Sequence, residues 1–150
     1  MDVKYVNPFL ESFTNTLGQF GVSDIKRAGI KKKANMYVDL EISAVVGLNG
    51  GIQGYVALSM SQDTAKKLVS SMMMGMAVAA IDDVAKSALG ELSSMIAGAA
   101  STMSVALGAS FRTIPPTVLT GAFNICPLEA LVIDFETGLG KIEFNIGFTM

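Results

Sequence analysis

Residues 81–107, IDDVAKSALGELSSMIAGAASTMSVAL, leave room for little besides one long helix. Ala, Ser, Met and Leu dominate, no proline interrupts, and Asp82 and Asp83 bring negative charge to the positive helix end. Wound at about 100° per residue, Leu89, Leu92, Ile96, Met103 and Leu107 gather on the side a core would claim. Ser87, Glu91, Ser94, Gly98 and Ser101 gather on another. Glu91 is the only charge between Lys86 and Arg112. A lone carboxylate among small residues lets a second molecule approach the helix backbone closely. This face is therefore expected to dock a partner, with Glu91 as anchor.

The other segments supply a sheet for that helix to pack on. Val3 to Gln19 reads as an amphipathic helix, with Val6, Leu10, Phe13 and Leu17 at core spacing. Tyr37 to Leu48 and Ile52 to Met60 read as strands joined by a turn at Asn49-Gly50-Gly51. Ser61 and Asp63 offer N-cap chemistry for a helix reaching Met74 and ending at Gly75. Pro115-Pro116 blocks continuation of the long helix. Beyond it come a short strand over Thr117 to Thr120 and a hairpin, Ala130 to Thr137 with Lys141 to Thr149, about Gly138-Leu139-Gly140. Strands and helices are grouped, not alternating. The expected class is α+β, with helices packed on a largely antiparallel sheet in a single domain spanning 1–150.

Composition narrows the function. Charged residues make up 16% of the chain, against about 25% in a typical domain, so much surface must be buried in the fold or between subunits. The net charge of −2 argues against nucleic-acid binding. The one basic cluster, Lys26-Arg27 to Lys31-Lys32-Lys33, has no aromatic residue to stack on bases and reads as a solvated loop or strand edge. Leu92 to Phe111 runs for twenty residues without charge, but six are Ser or Thr and two are Gly. That is too hydroxylated for membrane insertion. The N-terminus lacks the regions of a signal peptide, and the single Cys126 excludes an intrachain disulfide, so a cytoplasmic location is expected.

No self-contained active site is visible. The chain has no histidine, hence neither the commonest general base nor the usual zinc ligands, and no metal site is expected. Cys126 beside Pro127 reads as packing. Met72-Met73-Met74-x-Met76 reads as a helix end buried against the sheet, and Asp134, Glu136 and Glu143 as residues of a solvated sheet face.

Ser87-x-x-x-Glu91-x-x-Ser94 resembles the signature (Asp or Ser)-x-x-x-Glu-x-x-Asn of the CheC/CheX/FliY chemotaxis phosphatases. The rest of the chain is similar to the CheX branch in order: MDVKYVNPFLESF, GLNGGIQGYVALSMS, LVSSMMMGM, SALGELSSMIAG and IPPTVLTG. The resemblance implies a phosphorylated CheY-type response regulator as substrate, bringing its own Mg²⁺ and lysine, with no cofactor held by this chain. It also implies a homodimer formed through edge strands. Glu91 would pair with the regulator's lysine, and position 94 would orient the attacking water. The catalytic candidates are then Glu91 and Ser94, and the partner-binding candidates Asp83, Ser87, Glu91 and Gly98. Ser94 stands where the family has Asn. Its hydroxyl can donate to and accept from water, but ends about two bonds short of an Asn amide. Two functions remain open on these residues: a phosphatase weakened by Ser94, or a non-catalytic docking or dimerisation module. Asn7-x-x-x-Glu11-x-x-Thr14 also lacks the Asn and is assigned to core and surface.

Overall fold

Period-two alternation places Ile42, Ala44, Val46 and Leu48 on one face of a strand and Ser43, Val45 and Gly47 on the other. The fold is built on that division. The computed structural model describes residues 2–150. Its helices are α1 (Asn7–Gln19), α2 (Gln62–Met72) and α3 (Asp83–Val105). Its strands are β1 (Lys26–Lys33), β2 (Met36–Val38), β3 (Ile42–Gly50), β4 (Gln53–Met60), β5 (Phe111–Thr113), β6 (Thr117–Thr120), β7 (Phe123–Cys126), β8 (Ala130–Thr137) and β9 (Gly140–Thr149). Seven strands form one sheet in the order β1-β8-β9-β4-β3-β5, with β6 also pairing with β3. Every pairing is antiparallel. The class is α+β, as expected.

The three helices lie on one face. Ile42, Ala44, Val46 and Leu48 meet Val56, Leu58, Met60, Phe135, Ile142, Phe144 and Ile146 there, beneath Phe9, Phe13, Leu17, Leu68, Leu89, Leu92 and Ile96. Phe13 stacks on Phe135 at 4.1 Å and on Phe144 at 5.5 Å between ring centroids. On the opposite face a ribbon of β2 and β7 packs Val38 and Ile125 on Val45 and Ala57. Cys126 is buried there with Met36 and Ala130, in the packing role expected of it.

Several boundaries differ from expectation. The stretch 37–48 is two strands, because Asp39, Leu40 and Glu41 leave the ladder and the Glu41 carboxylate accepts the Gln62 N–H at 3.0 Å. Asn49 and Gly50 are not a tight turn. They continue β3 and pair with Arg112 and Phe111 of β5, a strand that had not been expected. The first helix is preceded by a single 3₁₀ turn, Val3–Tyr5, capped by Asp2. The basic cluster forms an edge strand, β1.

Lys33 departs from that pattern. It is buried and donates to Tyr37 O at 2.7 Å and to Asn145 Oδ1 at 3.4 Å. Glu143 was assigned to a solvated face, yet it is 5% exposed, with Lys141 at 3.4 Å and Lys31 at 3.9 Å. Its register partner Asp134 is half-buried, and only Glu136 is exposed as expected. Two cations beside Glu143 offset the cost of burying its charge. The methionine run is also corrected. Met72 and Met73 are half-buried against the core, but Met74 and Met76 project into solvent.

Candidate functional site

Helix α3 begins where Asp82 caps it, its Oδ1 accepting the Ala85 N–H at 2.9 Å. A short polar side chain there satisfies a backbone donor that has no partner within the helix. Asp82 is therefore the cap and Asp83 the first helical residue. Leu89, Leu92 and Ile96 are buried as their spacing requires. Met103 is half-buried and takes a hydrogen bond from Ser12 Oγ to its sulfur at 3.7 Å, while Leu107 lies past the helix end and is exposed.

Three contacts fix one flank of α3 to the sheet edge. Ser93 Oγ donates to Ala44 O of β3 at 3.1 Å, and Ser101 Oγ donates to Phe111 O of β5 at 2.6 Å. Gly90 packs on Pro116 so closely that a Cβ in its place would lie 3.2 Å from Pro116 Cγ. Ser101, expected on the docking face, thus belongs to the packing flank.

The outward side carries the remaining candidates. Asp83, Ser87 and Glu91 are exposed, while Ser94 and Gly98 are half-buried. Nothing lies within 4 Å of where a Cβ on Gly98 would stand, so the helix surface there is open. Among the described residues Glu91 forms no salt bridge. Its charge is free to meet an incoming cation. Ser87, Glu91, Ser94 and Gly98 come together along the helix at successive spacings of four, three and four residues. Asp83 sits two turns before Glu91, at the end of the strip.

Sequence inspection missed one neighbour. An open groove between α3 and β6 is lined by Lys86, Ser87, Gly90, Glu91, Pro116 and Val118. Lys86 is the only cation on α3, which was a usable signal. The groove wall comes from β6 and the residue before it, and helical periodicity alone could not supply that. On α1, Asn7, Glu11 and Thr14 are exposed, and the Thr14 hydroxyl bonds back to Leu10 O at 3.3 Å.

The site thus offers the exposed carboxylates of Asp83 and Glu91, hydroxyls at Ser87 and Ser94, and an open helix surface at Gly98. Among the described residues no three His, Cys, Asp or Glu side chains come together as a metal-holding group. No helix among them is long and apolar enough to cross a membrane. Such a face can position and neutralise, but it holds no strong base.

A seven-stranded antiparallel sheet with three helices on one face and a two-stranded ribbon on the other defines the class, a small α+β domain, and α3 turns Asp83 and Glu91 to solvent. Residues 42–136 match the family described as Chemotaxis phosphatase CheX. A CheY-P phosphatase CheX from Thermotoga maritima is 34% identical over 121 residues, covering 81% of this chain and 78% of that protein. The chain belongs to the CheX family. Among solved structures, the CheX-CheY-BeF3-Mg²⁺ complex from Borrelia burgdorferi matches with a TM-score of 0.74 at 26% identity, covering 97% of this chain and 98% of that one. A CheC-like superfamily protein from Shewanella sp. PV-4 matches with a TM-score of 0.88 at 22% identity, over the full length of both chains.

Proposed function

We propose that this chain binds a phosphorylated CheY-type response regulator through the outward face of α3 and accelerates hydrolysis of its aspartyl phosphate. The observation that carries this is the exposed Glu91, without a salt bridge among the described residues, on an open helix face; the motif resemblance matches it to the family's signature glutamate. The relatives support it: one is named for CheY-P phosphatase activity and another is solved with CheY, BeF3 and Mg²⁺.

In this mechanism the regulator brings Mg²⁺, which offsets charge on the phosphoryl oxygens when bound. Glu91 pairs with the regulator's lysine and fixes α3 over the phosphorylated Asp, with Asp83, Ser87 and Gly98 as the surrounding contacts. A water attacks phosphorus in line, the bond to the Asp carboxylate breaks, and the water's proton ends on phosphate or solvent. Phosphoryl transfer of this kind needs positioning more than a strong base. Ser94 Oγ holds the attacking water through a second, bridging water. A misplacement of roughly 1 Å costs on the order of a hundredfold in rate, so the activity is expected to be weaker than with Asn.

A second reading, docking without hydrolysis, is favoured by one observation: Ser94 is both shorter than Asn and half-buried. Decay of the phosphorylated regulator with and without this protein separates the two. Acceleration, reduced by Glu91→Ala and increased by Ser94→Asn at nearly constant affinity, establishes the phosphatase. Binding without acceleration in every variant refutes it and leaves the docking module. Homodimerisation through a sheet edge is part of the same proposal. Light scattering at micromolar concentration should give about twice the 15.7 kDa chain mass, and a monomer would refute it.

A further inference from the structure

The run Met72 to Ile81 contains no charge at all, and it is not hidden. Met74 is 98% exposed and Met76 68%, and Val84 in the first turn of α3 is 63% exposed. Between this loop and α3 lies an apolar cleft walled by Val69, Met73, Val78, Val84 and Ala85, with Asp82 as its one charged lining residue. Met74 also holds a φ of +58°. That is the left-handed conformation for which glycine is the usual residue just past a helix end, and a larger side chain there is disfavoured. The chain keeps a large apolar side chain in water on a backbone that resists it.

Position supplies the explanation. Val84 precedes Glu91 by seven residues, about two helical turns, and so shares its face at roughly 10 Å. A standard interface of about 800 Å² per partner is roughly 30 Å across. A partner seated on Glu91 therefore covers Val84 and reaches the cleft. From this placement we infer that the Met74–Met76 loop and its cleft are the apolar half of the docking surface, receiving a hydrophobic side chain of the phosphorylated regulator beside the cation that meets Glu91. The inference rests on the docking role proposed for α3. Exposed Val84 follows the exposed Asp82 and Asp83 directly in the chain and shares the cleft lining with Asp82, a pattern complementary to a partner with a cation next to an apolar patch. Methionine suits such a contact, because its unbranched thioether adapts to the shape it meets.

The test is calorimetric binding of the full chain to a CheY-type regulator loaded with BeF3 and Mg²⁺. Met76→Ser/Val84→Ser, both exposed, should leave thermal unfolding nearly unchanged and weaken binding by about tenfold, the scale of an interface anchor. Met76→Leu should retain affinity. If the double variant binds as tightly as the wild type while Glu91→Ala binds weakly, the apolar half is refuted and the role of Glu91 stands. If the double variant turns a dimer into a monomer without changing regulator affinity, a second copy of the chain covers the cleft and the inference is wrong. A wild-type chain that does not bind the loaded regulator removes the docking role together with everything built on it.

Discussion

Two glycines on α3 should respond in opposite directions to the same added methyl group. Replacing glycine by alanine inside a helix contributes about 0.8–1 kcal/mol through backbone propensity. At Gly98 nothing lies within 4 Å of the new Cβ, so that gain is kept. At Gly90 the Cβ would stand 3.2 Å from Pro116 Cγ, 3.3 Å from Pro116 Cβ and 3.7 Å from Val118 Cγ2. The proline ring cannot swing aside as a flexible chain would, and overpacking of this kind costs typically about 1–3 kcal/mol. Offsetting the propensity gain, Gly90→Ala should be destabilising by about 1 kcal/mol. Thermal unfolding should show Gly98→Ala raised by roughly 2–4 °C and Gly90→Ala lowered by a similar amount. Binding supplies a second axis: Gly98→Ala, though more stable, adds bulk to the docking face and should weaken the regulator complex. Equal stabilisation by both substitutions would refute the assignment of Gly90 to close packing against the strand edge. Unchanged affinity in Gly98→Ala would remove Gly98 from the interface.

Met74→Gly relieves the left-handed backbone at the end of α2 and should raise stability by about 0.5–1 kcal/mol in denaturant titration. A loss instead would mean the exposed side chain stabilises the fold. Burial pushes the Lys33 ammonium below its ordinary 10.5, with Glu143 and Asp39 pulling it back. Between its lowered value and 10.5 the unfolded chain binds more protons than the folded one, so stability from this group rises with pH across that window. Unfolding titrations should show the wild type gaining on Lys33→Met as pH climbs toward 10.5, and a constant difference would refute the burial argument. Phe13→Ala removes a ring stacked between Phe135 and Phe144 and should cost about 3–5 kcal/mol in unfolding free energy, while a loss below about 1 kcal/mol would show that the core collapses around the gap.

What could be read from the residues follows the range of the forces involved. Helix α3 was expected over 81–107 and spans Asp83–Val105, because periodicity and an aspartate cap are local signals. The second hairpin was legible for the same reason, with its turn glycines between two alternating runs. Strands β5 and β7 were not. Each is three or four residues long, and each exists because a distant strand offers backbone partners. Glu143 illustrates the limit for charges. Of the two cations beside it, Lys141 is local but Lys31 comes from more than a hundred positions away in the chain, so a strand pattern could not anticipate its surroundings. Within the candidate site, Glu91 and Ser87 stand where periodicity put them. Ser101 turned inward because Phe111 O, which nothing local announces, takes its hydroxyl.

The bonds from Ser93 and Ser101 to strand carbonyls, with Gly90 against Pro116 a turn before Ser93, set the roll of α3 about its own axis. A helix with its side chains is about 10–12 Å across, so a roll of roughly 10° carries a side-chain tip by about 1 Å. That is the displacement at which positioning catalysis loses on the order of a hundredfold. The sheet edge from Phe111 to Val118 acts as an angular stop for Glu91 and Ser94. Under the proposed function, substitutions along it would retune the turnover of a bound regulator while leaving every residue on the outward face of the helix as it is.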